Sequence, residues 1–282
     1  MGVKTILVRM RDILVEPLQA PLDRMEVSAS RSRLANIANA ERYADPRRLT
    51  RRGYRCFSQF DEDGLLDEIF RRIGTTCRFF IEFGVGDGLE NNTVALLLAG
   101  WSGLWIEADP VLQERIRRGF AAPLEAGQLT LAGEFVMAEN IEELLAGGGV
   151  PEEPDLISID IDGNDYWVWK AMDRFRPRVV VIEYNASLGR TAQVVSPYDP
   201  RACWDGTTGF GASLSALEAL GREKGYALVG CSVAGVNALF VRSDLVGSHF
   251  LEPFTSETHY EPPRFGCPHA GHPPRWSRFD PA

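Results

Sequence analysis

Short apolar runs alternate with amphipathic segments through the middle of the chain, which is the pattern of strands alternating with helices. The run 179–182 is apolar at every position, as expected for a strand that is covered on both faces. Five strands are predicted in this way, at 78–83, 104–107, within 129–137, at 156–162 and at 179–185. Helices are predicted between and after them, at 93–99, 111–120, 141–145, 166–172 and 213–224. The alternation predicts a doubly wound α/β fold built on a parallel sheet.

Two more strands, at 227–231 and 238–242, are predicted to complete the sheet as a terminal antiparallel hairpin, because only a short glycine-containing turn separates them. They bring the predicted sheet to seven strands. A helix at 58–73 precedes the first strand. We expect Ser58 to cap the N-terminus of this helix and Gly74 to end it.

Composition divides the chain into three parts. Residues 58–247 form the α/β domain. Residues 1–57 precede it as a helical extension, in which 31–43 has apolar residues at helical spacing. Residues 248–282 carry seven prolines and all four histidines, so we expect an irregular C-terminal tail or lid there.

Bulk composition narrows the location and the partners. No apolar run approaches the roughly 20 residues that span a bilayer, and we expect no signal peptide in the first residues given. The five cysteines are scattered, so we expect a cytoplasmic protein with reduced thiols.

The net charge is −9, yet residues 1–55 hold 12 Lys and Arg against 6 Asp and Glu. The acidic remainder would repel nucleic acid. We expect the basic front to pack on the body or on a second subunit, which leaves a homo-oligomer such as a dimer open.

A glycine-rich loop after the first strand is the most informative segment. Gly84, Gly86 and Gly88 alternate with other residues there, and glycine lets the backbone approach a ligand where a Cβ would clash. Glu107 ends the second strand, where a carboxylate can accept hydrogen bonds from both hydroxyls of a ribose. Together these two features predict a site for a nucleoside cofactor.

Four further residues border that predicted site. Glu82, at the tip of the first strand, would hold a cofactor ammonium or order the loop. Asn92 and Thr93 open the next helix, where polar side chains and free N–H groups can meet a carboxylate. Glu139 follows the third strand, near where an adenine should lie. A purely structural role is the alternative, such as a helix cap for Asn92 or a surface position for Glu139.

Acidic residues also follow the fourth and fifth strands. Asp160 and Asp162 share one face if the strand stays extended, and Glu183 and Asn185 do the same on the next strand. Neighbouring parallel strands lie roughly 4.8 Å apart, so we expect these groups to meet at one edge of the sheet. Such a cluster needs a cation, which is either a hard divalent ion or the positive charge of the cofactor itself.

Taken in order, these segments resemble the class I S-adenosylmethionine-dependent methyltransferases, and the FkbM-type methyltransferases in particular. The likeness covers 58–245 and includes a Ser-Gln…Glu-Asp segment, the glycine loop, an Asp-x-acid-Gly segment and a Glu after the fifth strand. These are matched by 58–63, 84–88, 160–163 and Glu183. Asp162, where many relatives carry Glu, and the added Asn185 are departures from the pattern. The resemblance implies a Rossmann-like methyltransferase fold and S-adenosylmethionine as cofactor, bound by Gln59, Glu82, Gly84, Gly86, Asn92, Thr93, Glu107, Glu139 and Asp160.

The acids after the fourth and fifth strands also resemble the metal site of catechol O-methyltransferase and of macrolide-sugar methyltransferases. That resemblance implies Mg²⁺ held by Asp160, Glu183 and Asn185, with Asp162 as an alternate ligand. In the alternative, no metal binds and the acids orient the cofactor and the loops. The expected catalytic residues are Asp160, Asp162, Asp165 and His249. The last three are candidate general bases, His249 being the tail histidine nearest the last strand in sequence.

The segment 187–212 carries aromatic residues beside acids, a combination that holds sugar rings in proteins. We therefore expect an O-methyltransferase that acts on a hydroxyl of a sugar, an oligosaccharide or a sugar-bearing small molecule. Three alternatives stay open: an NAD-dependent oxidoreductase, an N-methyltransferase on the same fold, and a non-catalytic binding protein.

Overall fold

A seven-stranded sheet forms the centre of the protein, in a computed structural model that describes residues 36–201, 204–265, 271–274 and 279–282. Its strands and a separate two-stranded pair are β1 Phe79–Phe83, β2 Ser102–Ile106, β3 Leu129–Ala132, β4 Leu156–Ile159, β5 Val179–Glu183, β6 Val194–Val195, β7 Tyr226–Cys231, β8 Asn237–Arg242 and β9 Asp280–Pro281. The sheet order is β3-β2-β1-β4-β5-β8-β7, and β6 pairs with β9. Strands β1 to β5 run parallel, whereas β8 is antiparallel to both β5 and β7. The predicted fold class and the terminal hairpin are confirmed.

Helices connect the strands on both sides of the sheet. They are α1 Glu62–Ile73, α2 Val94–Leu98, α3 Pro110–Gly119, α4 Ala121–Glu125, α5 Ile141–Gly147, α6 Asp165–Ala171, α7 Leu214–Glu223, α8 Ser243–Val246 and α9 Ser256–His259. Short 3₁₀ turns occupy Glu41–Tyr43, Thr50–Arg52 and Ala186–Leu188. Among the residues described, we find no helix with the length and apolarity needed to cross a membrane.

Apolar side chains of the parallel strands point alternately to the two faces of the sheet. In β5, Val180 and Ile182 join a core cluster with Trp169 of α6 and residues of α7. Val179 and Val181 join the other cluster, which contains the apolar face of α1. Because successive residues of a strand face opposite sides, a strand between two layers of helices must be apolar throughout. This explains the uninterrupted apolar run that predicted β5.

The first helix starts later than predicted. It begins at Glu62, not after Ser58. The Ser58 hydroxyl donates to the carboxylate of Asp63 over 2.9 Å and accepts the backbone N–H of the same residue over 3.2 Å. The Asp63 carboxylate also accepts three backbone N–H groups of the preceding loop. The segment from Ser58 is therefore a loop folded onto the first turn of α1, and the predicted end of the helix at Gly74 is confirmed.

The extension and the tail meet beside the β7–β8 hairpin. Of the helix predicted at 31–43, the part before residue 36 lies outside the described residues, and the rest forms a helical turn at 36–38 and then a 3₁₀ turn. Tyr43 donates its hydroxyl to the carboxylate of Glu261 over 2.7 Å. The Tyr184 hydroxyl donates to the Glu261 carbonyl over 2.6 Å. The prediction was an irregular tail, and the described part of the tail also contains the short elements α9 and β9.

A buried ion pair secures the edge of the sheet where the parallel strands begin. Asp155 precedes β4 and Arg178 precedes β5, and their side chains pair over 2.6 Å with 0% and 6% exposure. The Asp155 carboxylate also accepts the N–H groups of Thr76 and Arg78, just before β1. Arg178 donates to two carbonyl oxygens at the C-terminal end of α1. One ion pair therefore joins three strands and a helix.

We expect Asp155→Ala to lower the free energy of unfolding by about 3–5 kcal/mol, because it leaves the Arg178 guanidinium buried without its partner. Urea denaturation measures this change. Asp173→Ala is the control, since it removes an ion pair to Lys224 in which the acid is 91% exposed, and it should change stability by less than about 1 kcal/mol. Equal effects of the two substitutions would contradict the role given to Asp155.

Candidate functional site

The glycine loop begins where β1 ends and packs directly against the end of β4. Gly84 has φ 66°, and a Cβ at this position would lie 1.9 Å from the carbonyl oxygen of Asp160. The Gly84 N–H also donates to the carbonyl of Ile106, the last residue of β2, over 3.1 Å. Only a residue without a side chain permits this approach. The glycine therefore sets the distance between the loop and the acidic end of β4.

Glu107, which follows β2, lies across this loop. Its Oε2 accepts the N–H of Gly86 over 2.9 Å, and its Oε1 accepts the N–H of Asp109 over 2.8 Å. Each carboxylate oxygen retains a second lone pair for a ligand. A Cβ built at Gly86 would meet no atom within 4 Å. A fixed carboxylate beside open space can accept hydrogen bonds from a ligand, and the assignment of Glu107 to a ribose stays a prediction.

Glu82 is buried beneath the same loop. Its carboxylate accepts the N–H of Asn92 over 2.8 Å and the hydroxyl of Thr93. The Thr93 oxygen in turn accepts the indole N–H of Trp105, and the Asn92 amide donates to Ser158. The hydrogen bonds to Glu82 lower its pKa, but burial has the larger effect and raises the pKa to about 7. Of the two roles predicted for Glu82, the structure favours ordering the loop, with Asn92 and Thr93 as its partners.

Three carboxylates meet at the ends of β4 and β5. Asp160, Asp162 and Glu183 each place an oxygen within 4.8 Å of the others. The predicted proximity is thus confirmed for these three acids, but the reason given for Asp162 was wrong. Strand β4 ends at Ile159, and Asp162 has a left-handed backbone with φ 57°. A turn, not a shared face of an extended strand, brings Asp162 back towards Asp160.

The charges of this carboxylate triplet are poorly compensated among the described residues. Burial raises the pKa of Asp160 well above its ordinary value, and the charges of Asp165 and Asp162 raise it further. Burial and the charge of Asp160 raise the pKa of Glu183 in the same way. The Glu183 Oε2 atom is buried and has no hydrogen-bond partner among the described residues. A bound cation would supply the missing partner.

Asp165 holds the turn that carries Asp162. Its carboxylate accepts the N–H groups of Ile161 and Gly163 over 2.8 and 2.9 Å. Burial raises its pKa to about 6, although these hydrogen bonds lower it. With both oxygens bonded to the backbone, Asp165 is a positioning residue, and we no longer assign it as a general base.

Asn185 has a structural role besides the one that was expected. Its amide N–H groups donate to the carbonyl oxygens of Thr208 and Phe210 over 2.8 and 2.9 Å. Its side-chain oxygen accepts the N–H of Ser187 over 3.1 Å. Both ends of the amide are therefore used to fasten the long loop 187–212 to the end of β5. The side-chain oxygen keeps a second lone pair, so the assignment of Asn185 as a metal ligand stays a prediction.

His249 lies at the wrong edge of the sheet for a general base, which corrects that prediction. Strand β8 is antiparallel to β5, with Val241 beside Val179, so the chain leaves β8 where the parallel strands begin. There Arg72, near the end of α1, donates to the carbonyl oxygen of His249 over 2.7 Å. The carboxylate triplet lies at the opposite edge. Proximity to the last strand in sequence was a misleading signal, because that strand runs in reverse.

Two other predicted residues lie near the surface. Gln59 is exposed in the loop before α1. Glu139 accepts a hydrogen bond from the hydroxyl of Tyr198, which belongs to the long loop. Neither observation tests binding of a cofactor, and both assignments stay predictions.

The site also contains residues to which the sequence analysis gave no role in it. Glu62 is buried at the start of α1, where it accepts hydrogen bonds from the Asn237 amide and the Phe60 N–H. Its charge contributes to the raised pKa of Asp160. His272 of the tail interacts electrostatically with Asp162. The Ser-Gln…Glu-Asp motif offered a signal for Glu62, whereas no local pattern distinguishes His272 from the other tail histidines.

A scan against protein-family models gives no match for this chain, and neither does a search of curated proteins. Several solved structures are similar over part of it. The pyocyanin biosynthetic protein PhzM matches 63% of this chain and 54% of its own, about half its length, at 17% identity and a TM-score of 0.39. The CcbJ methyltransferase from Streptomyces caelestis matches 63% of this chain and 88% of its own, at 12% identity and 0.40. An S-adenosylmethionine-dependent methyltransferase from Clostridium acetobutylicum matches 62% of this chain and 89% of its own, at 13% identity and a TM-score of 0.40. These similarities are too distant to carry an argument about activity.

Gly84 and Gly86 form a matched pair for testing the packing of the loop. Both have positive φ, but only Gly84 has an atom where its Cβ would be. We expect Gly86→Ala to lower the free energy of unfolding by about 1 kcal/mol, the cost of a left-handed alanine. Gly84→Ala should cost at least ~2 kcal/mol more, because the loop and the end of β4 must separate. Urea denaturation of both variants measures the difference, and equal losses would show that the close approach is not required.

The raised pKa of Glu82 predicts that the stability of the protein depends on pH. Its pKa is about 7 in the folded protein against an ordinary 4.5. A raised folded pKa stabilises the protein below pH 4.5, and this contribution is lost as the pH rises through about 7. We expect Glu82→Gln to remove up to ~3 kcal/mol of the fall in unfolding free energy between pH 4.5 and 8. Urea denaturation across that range measures it.

Glu68→Gln is the control for that measurement. The guanidinium of Arg71 holds the pKa of Glu68 at about 2 in the folded protein, against the opposing effect of burial, while the ordinary value is 4.5. Glu68 is therefore ionised in both the folded and the unfolded protein well above pH 4.5, and this variant should keep the wild-type slope there. A wild-type slope in Glu82→Gln as well would refute the raised pKa.

Proposed function

We propose that this protein is an S-adenosylmethionine-dependent O-methyltransferase. One observation carries the proposal: the glycine loop, Glu107 and the carboxylate triplet lie along one edge of a single sheet. The ends of neighbouring parallel strands are where such sheets bind ligands. The reversed strand β8 beside β5 also fits the resemblance on which the proposal was first based.

The residues present fit a cofactor that is both a nucleoside and a cation. Glu107 would accept the ribose hydroxyls, next to the open space beside Gly86. Asp160 lies against Gly84, so it would face the amino-acid part of the same ligand. The raised pKa values of Asp160 and Glu183 would return towards normal beside a positive charge. An uncharged or anionic cofactor would leave these carboxylates uncompensated, which argues against the dinucleotide alternative.

S-adenosylmethionine supplies a methyl group on a sulfonium, and the sulfur becomes a neutral thioether when that methyl is transferred. The chain then has to hold an acceptor hydroxyl in line with the methyl group and take its proton. Asp162 is suited to the second task, because it is exposed at the triplet while Asp165 fixes its turn. The same arrangement would serve a nitrogen acceptor, so N-methylation is the variant to be tested against it.

We further propose that Mg²⁺ is held by Asp160, Glu183 and the side-chain oxygen of Asn185, with Asp162 as an alternate ligand. Oxygens of the three acids lie within 4.8 Å of one another, and oxygen-only ligands suit a hard divalent cation. Mg²⁺ there would lower the pKa of an acceptor hydroxyl that it contacts. The buried, unpartnered Oε2 of Glu183 supports this proposal.

We also propose a sugar or a sugar-bearing compound as the acceptor. The loop 187–212 is fastened over the site at two points: Asn185 holds it to the end of β5, and the Asn164 amide donates to the Asp199 carbonyl over 2.8 Å. Trp167, beside the β4 turn, donates to the Ser196 carbonyl and lies 6.0 Å from the ring of Tyr198. The loop therefore brings aromatic surface close to the carboxylates.

Calorimetric titration with S-adenosylhomocysteine tests the cofactor assignment. We expect the wild type to bind it and not to bind NADH. Glu107→Gln should weaken binding by about tenfold or more, because hydrogen bonds from both ribose hydroxyls to a charged group would be lost. Glu125→Gln, an exposed acid at the end of α4, should leave the affinity unchanged. Tight NADH binding, or no heat with S-adenosylhomocysteine, would overturn the proposal.

A titration with Mn²⁺, followed by electron paramagnetic resonance, tests the metal assignment without any acceptor. We expect one bound ion in the wild type and at least about tenfold weaker binding in Glu183→Gln. Asp173→Asn, which changes an exposed acid elsewhere, should bind like the wild type. If the wild type binds no ion with S-adenosylhomocysteine present, the triplet serves the cofactor alone.

A further inference from the structure

Aromatic side chains of the long loop and of the tail form one cluster at the site. The ring of His272 lies 4.4 Å from Trp204, 4.9 Å from Phe265 and 6.0 Å from Phe210. We call these four residues the aromatic cluster. Phe210 is buried, but Trp204 is 38% exposed and offers a face to solvent. An exposed indole beside a histidine is unusual as core packing, because such a large apolar surface normally gains from full burial.

Backbone hydrogen bonds place the aromatic cluster beside the end of β5. Asn185, two residues after Glu183, donates to the carbonyl oxygens of Thr208 and Phe210. The N–H of Thr208 donates to the carbonyl of Pro273 over 3.0 Å, which fastens the tail to the loop next to His272. The tail thus reaches the same edge of the sheet as the carboxylate triplet, although it is distant in sequence.

The loop that carries Trp204 and Phe210 also contacts the turn of an exposed acid. The Ser196 hydroxyl of this loop donates to the carbonyl oxygen of Gly163, next to Asp162, over 3.3 Å. Asp162 is exposed, as is Trp204. Aromatic faces next to an exposed carboxylate are therefore present together on the open side of the site.

We propose that the aromatic cluster is the acceptor subsite, that the tail completes it through His272, and that it takes the ring of a neutral sugar. This inference rests on the proposed function. The C–H face of the ring would pack on Trp204 and His272, while its acceptor hydroxyl lies towards the carboxylate triplet. The tail is then a part of the acceptor site and not only a cover for the hairpin.

Saturation-transfer-difference NMR, with the protein saturated by S-adenosylhomocysteine and Mg²⁺, tests this inference. The probes are the neutral methyl glycosides of glucose, galactose, mannose and rhamnose. We expect at least one of them to bind. Trp204→Ala and His272→Asn should each weaken binding of the neutral glycoside by about fivefold or more.

His249→Asn is the matched control, because it changes an exposed histidine at the opposite edge of the sheet. It should bind the neutral glycoside like the wild type. All variants should bind S-adenosylhomocysteine with wild-type affinity, which separates loss of the acceptor subsite from loss of the fold or of the cofactor site.

Two results would overturn the inference while leaving the proposed function standing. One is that S-adenosylhomocysteine binds but no neutral glycoside does. The other is that Trp204→Ala and His272→Asn bind the glycoside as the wild type does. Failure of S-adenosylhomocysteine to bind the wild type would instead overturn the proposed function itself.

Discussion

Repulsion among carboxylates at one edge of the sheet is the constraint on which the site depends. Asp160, Asp162 and Glu183 lie together, and the charges of Glu82 and Glu62 add to the raised pKa of Asp160. Such a group destabilises the folded state whenever its members ionise without a counter-charge. A cation bound there would offset this repulsion, and the functional proposal rests on that compensation.

The backbone around the carboxylates is arranged to hold them in place. Gly84 lets the glycine loop rest on the carbonyl of Asp160, and Asp165 binds two N–H groups of the turn that carries Asp162. Asn185 fastens the long loop at the end of β5. These contacts explain how the left-handed backbone of Asp162 is tolerated: the neighbouring hydrogen bonds leave it little alternative.

The opposite edge of the sheet shows how a buried acid is treated when its role is structural. Asp155 is fully buried, but it pairs with Arg178 and accepts N–H groups from the chain before β1. Every part of its charge is compensated. The contrast between this paired acid and the uncompensated Glu183 separates the edge that holds the fold together from the edge that is available to a ligand.

The sequence by itself determined the strands, most of the helices and the set of acids at the strand ends. Hydrophobic periodicity and glycine positions are local signals, and parallel strands that alternate with helices must place their C-terminal ends at the same edge. Helix boundaries such as the start of α1 were less accurate, because Ser58 bonds to Asp63 in a loop and does not cap a helix. The turn after β4 was also missed, since nothing in the sequence distinguishes an extended Asp162 from a left-handed one.

Only the tertiary structure decided which distant side chains join the site. His249 was excluded because β8 runs antiparallel and carries the chain to the other edge. His272 was brought in by the hydrogen bond between Thr208 and Pro273, a contact between a loop and a tail that no local pattern predicts. Asn185 was found to have a structural role, because its amide donates to the long loop. Strand direction and contacts between remote segments depend on how the whole chain packs, so local periodicity cannot reveal them.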